Sequence, residues 1–196
     1  MKRISIFIIA IFSLFNISIA QQSDKINWIS FQEALEKNKK EPKKMIMDVY
    51  TEWCGWCKHM DKTTFTDPNI VAYINLNYYA VKFDAEGSDS IFYKGKVYKN
   101  DGISQRPGRK PTHPLAIEIL KGQMSYPNIV YFDDSTNVIT AIPGYRSAKD
   151  IQPFLIYFAE NLYKYINLQE FITDFNNTVT DSLRSKTEAV KWLTMN

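Results

Sequence analysis

The sequence predicts an α/β fold, with a mixed central β-sheet and helices on both faces. Three observations carry that reading. The apolar run Met45-Ile46-Met47-Asp48-Val49-Tyr50 lacks clean alternation, as a strand covered on both sides does. A helical pattern and a second strand, Tyr78 to Phe83, follow it at the spacing of a strand–helix–strand crossover. Two further strands, Ile129 to Phe132 and Val138 to Ile142, are joined by the turn Asp133-Asp134-Ser135-Thr136-Asn137, and a periodic helix closes the pattern. A crossover followed by a hairpin puts parallel and antiparallel pairs into one sheet.

The elements follow in order. Ile26 to Lys39 reads as a short extended piece and a helix, with Ser30 as N-cap, Glu33 three residues on, and Phe31, Ala34 and Leu35 on the apolar side. The basic stretch from Lys39 to Lys44, with Pro42, is the connection to the first long strand. Trp53-Cys54-Gly55-Trp56-Cys57-Lys58 opens the next helix, which runs through Met60 and breaks near Thr64. Asp67-Pro68 restarts it, Asp as N-cap and Pro at the first helical position, with Ile70, Val71 and Ile74 inward. Residues 85–111 then lose periodicity except for a hairpin-like piece from Phe92 to Tyr98, and an insertion of that length is either functional or mobile. Thr112 to Leu120 is a short helix ended by Gly122 and started or capped near His113. The closing helix is expected to take Asp150 as N-cap, which places Pro153 in its first turn. Three segments result: residues 1–20, a domain over 21–166, and a helical extension over 167–196.

Residues 1–20 have the three regions of a secretory signal peptide. Lys2 and Arg3 precede an apolar stretch from Ile4 to Phe15, and Ser18-Ile19-Ala20 supplies small residues at a cleavage site. Export, with a periplasmic destination after cleavage near Ala20, is the expectation; retention of residues 4–19 as a membrane anchor is the alternative. The chain carries a formal charge of +3, and loss of Lys2 and Arg3 leaves +1, too little to imply a nucleic-acid partner.

The 196 residues contain two cysteines, Cys54 and Cys57. Exported domains stabilised by disulfides usually carry several, closing long loops; a bridge over two intervening residues constrains the unfolded chain very little. Three readings of the pair remain: half of a zinc site, which would need ligands from His59, His113 or carboxylates; a structural disulfide; or a redox pair. Redox chemistry suits the position, because a thiol at a helix N-terminus gains acidity from the unpaired N–H groups there, and thiolate is the attacking species in exchange.

With these residues in place the chain resembles the thioredoxin-like superfamily. Trp53 to Lys58 matches its Trp-Cys-x-x-Cys-Lys motif, Asp48 its acid six positions before the first cysteine, and Lys82 the lysine of the following strand. Pro127 stands where a cis-proline opens the strand facing the active site, and Gly144 matches a glycine just past the last strand. The stretch from Cys57 through Thr64-Phe65-Thr66-Asp67-Pro68 is similar to the C-terminal periplasmic domain of DsbD-type thiol reductases. The motif departs from thioredoxin in Gly55-Trp56, the dipeptide that tunes the potential, and insertion 85–111 is longer than thioredoxin's equivalent.

The resemblance implies a thioredoxin fold with a long insertion before the helix that precedes the cis-proline. It implies an exported protein-disulfide reductase with Cys54 as nucleophile, Cys57 as resolving thiol and Asp48 as proton carrier, supported by Lys82. Trp53, Trp56, Tyr126, Pro127 and Gly144 would face the substrate. No metal and no cofactor beyond the cysteine pair are expected. The expected partners are protein thiols and disulfides and a membrane thiol-reductase as electron donor, with the protein a monomer. A disulfide oxidase or isomerase, and a thioredoxin-fold adaptor with idle cysteines, are the alternatives. His59 is expected at the surface, and Lys94, Lys96, Lys99, Arg106, Arg109 and Lys110 as a solvated basic loop or a docking surface.

Overall fold

The computed structural model describes residues 23–103 and 110–179. The expected signal peptide, Arg106, Arg109 and the end of the C-terminal extension lie outside the described residues.

A five-stranded sheet has the order β1-β3-β2-β6-β7, formed by Trp28–Ile29, Tyr79–Asp84, Met45–Tyr50, Asn128–Phe132 and Val138–Pro143. β1 and β2 both pair parallel with β3, whereas β6 pairs antiparallel with β2 and β7. The sheet is therefore mixed, and β2 is its centre. The insertion contributes a separate hairpin, β4 (Ser90–Tyr93) and β5 (Lys96–Lys99), turning at Lys94-Gly95, both at positive φ.

Alternation along β2 assigns its side chains to two cores. Met45, Met47 and Val49 join Phe31, Ala34 and Leu35 of α1 (Phe31–Lys40), Leu115 and Ile119 of α4 (Pro114–Ile119), and Ile91, Tyr93 and Tyr98 of the hairpin. On the opposite face, Ile46 packs with Met60 of α2 (Gly55–Thr63), Ile70 and Ile74 of α3 (Pro68–Asn77), and Ile151, Leu155 and Phe158 of α5 (Ala148–Ala159). Asp48 falls on this second face, the one that α2 covers.

The caps show how local chemistry sets the elements. Ser30 accepts from the Glu33 N–H at 3.2 Å, and Asp67 accepts from the Asn69 and Ile70 N–H groups. α2 gives way to a 3₁₀ turn over Thr64–Thr66, the break expected near Thr64. The cap of α5 differs from expectation. Ser147 is the N-cap, accepting from the Asp150 N–H at 3.2 Å and donating to its carboxylate at 2.6 Å, so Asp150 sits in the first turn and Pro153 in the second. The hydroxyl and the carboxylate at this spacing form a reciprocal pair, and the upstream residue takes the cap. A further helical stretch over 168–179 lays Phe171 against Tyr157, with ring centroids 5.4 Å apart.

Candidate active site

The site forms where the sheet's central strand hands over to α2. Tyr50 ends β2, the Cys54 N–H donates to the Thr51 carbonyl at 3.1 Å, and Cys54 is the N-cap of α2. Its Sγ accepts from the Cys57 N–H at 3.0 Å, so the sulfur takes the place of an oxygen cap and meets the positive end of the helix. Cys54 and Cys57 form a disulfide, with Cα atoms 5.3 Å apart. Both residues are buried, at 4% and 1% exposed, so Cys54 is more sheltered than a surface position at the helix start suggests. Its sulfur is turned towards Cys57 instead of outwards. Among the described residues no cluster of three or more His, Cys, Asp or Glu is placed to hold a metal ion.

Register then brings charge to the second face of the sheet. Asp48 of β2 lies opposite Lys82 of β3, and the Lys82 ammonium donates to Asp48 Oδ2 at 2.5 Å. The same ammonium donates to Asp61 on α2, and it lies 5.0–5.6 Å from the ring centroids of Tyr50, Trp28 and Phe65. Burial drives the Asp48 carboxyl up from 3.8 to about 6, against the pull of Lys82 and with a smaller push from Asp61. Burial pulls Lys82 down, but the two carboxylates outweigh it and its pKa is raised. Asp48 Oδ1 is buried and has no hydrogen-bond partner among the described residues, as are Thr51 Oγ1 and Asn128 Oδ1.

The other predicted residues gather around the same end of the sheet. Asn128 is the register partner of Val49, so Pro127 stands at the edge from which the motif departs. The Tyr126–Pro127 peptide is cis, and the Pro127 carbonyl accepts from the Gly144 N–H at 2.8 Å. Gly144 has φ +86°, a conformation that favours glycine. Trp53 is 59% exposed; its indole N–H donates to both oxygens of Glu86 at 3.1 Å, and its ring meets Tyr126 edge-on at 5.9 Å. Trp56 is 61% exposed, beside His59 and Tyr145. The sequence residues therefore converge, Trp53 resting on Glu86 and Tyr126 and Trp56 on His59 and Tyr145.

Two groups escaped the sequence reading. Asp61 lies one helical turn after Cys57, half-buried at the flank of α2, and that spacing was the available signal. Glu86 opens the insertion and fixes Trp53, a contact 33 residues apart that no local pattern announces. The described part of the basic cluster is dispersed: Lys94 bonds Asn137, Lys96 pairs with Glu118, and Lys110 pairs with Glu52. His113 is the N-cap of α4, accepting from the Leu115 N–H at 3.1 Å, while its other ring nitrogen contacts the Asp89 carbonyl at 2.8 Å.

A family model of the thioredoxin-like domain matches residues 31–159. The chain belongs to this family. Thioredoxin-like structures resemble it at low identity. A thioredoxin-fold protein from Helicobacter pylori is 17% identical, with a TM-score of 0.54, covering 81% of this chain and 96% of that one. A candidate disulphide isomerase from Bacteroides thetaiotaomicron is 24% identical, with a TM-score of 0.49 over 71% of this chain and 97% of that one. A DsbH oxidoreductase is 16% identical, with a TM-score of 0.47 over 71% and 88%. Among curated proteins none matches the chain. This thioredoxin-like domain thus carries its cysteine pair at the start of α2 in the disulfide form. No helix among the described residues is long and apolar enough to cross a membrane.

Proposed function

We propose that this protein is an exported thiol–disulfide oxidoreductase that reduces protein disulfides, acting in the manner of DsbD-type periplasmic domains. The observation that carries this reading is the Cys54–Cys57 disulfide at the N-terminus of α2, on the sheet face where the buried Asp48 keeps one carboxylate oxygen unpartnered. In the reduced protein the Cys54 thiolate attacks a substrate disulfide; that S–S bond breaks, a mixed disulfide forms, and one substrate thiolate leaves and takes up a proton. The Cys57 thiol then gives its proton to Asp48, and its thiolate attacks Cys54 Sγ. The second substrate sulfur leaves as a thiolate and takes up the proton held by Asp48, and the Cys54–Cys57 disulfide stores the two electrons' worth of oxidation. Asp48 suits this step because its pKa, about 6, lets it hold or release a proton near neutrality. A membrane thiol partner returns the electrons.

Trp53, Trp56, Tyr126, Pro127 and Gly144 form the substrate-facing rim, and Lys82 holds Asp48 in place. Residues 1–20 are the leader, 21–166 the working domain and 167–196 an extension, and the protein acts as a monomer with no cofactor. An insulin-reduction assay tests the reading. The wild-type protein precipitates the insulin B chain in the presence of a dithiol donor and Cys54→Ser does not. Equal rates for the two sink it.

A further inference from the structure

The proposed chemistry puts Trp56 on the substrate-facing rim but gives no role to the outward strip of α2 that continues from it. Along α2, Trp56, His59 and Thr63 fall at positions i, i+3 and i+7 on one outward strip, while Cys57 and Met60 are buried. Tyr145, just past β7, leans across that strip. Its ring lies 5.3 Å from Trp56 and 5.1 Å from His59, and its hydroxyl is 3.4 Å from Thr63 Oγ1. The result is an aromatic wall, anchored at its base and open to solvent along Trp56.

Two cations lie on the neighbouring face of the same helix, round from Trp56 and next to His59. Lys58 and Lys62 are exposed on the same helix, four residues apart, a spacing at which like charges repel. Neither ammonium has a hydrogen bond or close ion pair among the described residues, whereas Lys37, Lys39, Lys96 and Lys110 each pair with a glutamate; Glu52, paired with Lys110, attracts Lys58 only at longer range. The one acid in α2, Asp61, is committed to Lys82, and the first turn holds none. Lys58 in particular sits near the positive end of the helix, where a cation is unfavourable and an approaching anion is welcome. An acidic ligand relieves both the repulsion and the dipole.

We infer that this strip selects the substrate: it seats an extended cysteine-containing segment with an aromatic or large apolar residue beside the cysteine, against Trp56 and Tyr145, and acidic residues beyond, against Lys58 and Lys62. The inference rests on the thiol–disulfide reading above and adds the substrate class to it. Aromatic anchoring supplies contact area at low side-chain entropy, and the two lysines supply rate and orientation through long-range attraction.

The test uses the full chain with Cys57→Ser, so that the first exchange is trapped. Two heptapeptides, Asp-Asp-Phe-Cys-Phe-Asp-Asp and Lys-Lys-Phe-Cys-Phe-Lys-Lys, are each presented as the mixed disulfide with thionitrobenzoate. Attack of Cys54 sulfur on the peptide sulfur forms the Cys54–peptide disulfide and expels thionitrobenzoate thiolate, whose absorbance gives the rate. Rates are normalised to those with free 2-mercaptoethanol. The acidic peptide reacts about tenfold faster at low salt, and its advantage shrinks at high salt. Adding Lys58→Gln and Lys62→Gln brings the two peptides within about twofold of each other, and Trp56→Ala slows both while leaving their ratio intact. Equal normalised rates for the two peptides, or a preference that survives the double lysine substitution, overturn the inference while leaving the exchange reading standing. Failure of Cys54 to react with either peptide and with dithionitrobenzoate removes both.

Discussion

Asp48 and Asp61 meet on one ammonium, that of Lys82, although they come from the central strand and from the helix that carries the cysteines. Burial outweighs the pull of that ammonium on Asp48, the Asp61 charge adds a smaller push in the same direction, and Asp48 rises to about 6.

That rise has a stability consequence with a definite sign. The folded state holds the Asp48 proton more tightly than the unfolded chain, whose carboxyl titrates near 3.8. The group's stabilising contribution is therefore complete below about pH 4 and is lost as pH climbs through about 6. Asp48→Asn does not titrate. Denaturant unfolding should show wild type and variant close together at low pH, and the variant gaining at neutral pH by an amount on the order of 3 kcal/mol. A gap that stays constant with pH contradicts the assignment.

Asp61 is the more discriminating residue. Its negative charge adds to the upward push on Asp48, so Asp61→Asn should lower the Asp48 pKa and move the rising limb of the pH–rate profile for mixed-disulfide resolution to lower pH. Asp61→Glu keeps the charge and should restore much of the profile. Stopped-flow kinetics of a trapped mixed disulfide read this directly, and an unmoved limb removes Asp61 from the site.

Glu86 reaches from the insertion to Trp53. Glu86→Ala leaves the indole without that acceptor and loosens one flank of the rim. The expected outcome is a severalfold higher KM for a protein disulfide, with turnover of hydroxyethyl disulfide unchanged. Parallel loss on both substrates would point to a role in the chemistry and not in positioning.

Gly144 tests the backbone beneath the rim. Among the described residues a β-carbon there would meet only the Arg146 guanidinium, at 3.7 Å, so space is available and the φ of +86° is the obstacle. Gly144→Ala should lower stability by about 1 kcal/mol, measured by thermal or urea unfolding. A neutral result would mean that the segment relaxes without strain.

Legibility in the sequence followed the range of the interactions. Ser30, Asp67 and the cysteine motif act within a few residues, and their positions in the chain anticipate their positions in the fold. Asp48 and Lys82 became a pair through the resemblance and the strand register. What stayed hidden depends on contacts between distant segments: Asp61 reaching Lys82, Glu86 holding Trp53, and Glu52, Glu118 and Asn137 dispersing the basic stretch of the insertion. The two-residue strand β1 was read only as an extended piece, because pairing with β3 and not its own composition makes it a strand. At α5, Ser147 outcompeted Asp150 because the two side chains engage each other, and a local rule applied to either alone does not rank them.

The reduction potential of the Cys54–Cys57 pair, measured by equilibration against glutathione or dithiothreitol redox buffers, bears most directly on the central claim. A reductase requires a dithiol that gives up its electrons readily, which places the pair between about −200 and −270 mV, the range of glutaredoxins and thioredoxin. A value near about −120 mV, where DsbA lies, would mark the disulfide as an oxidant and contradict the account.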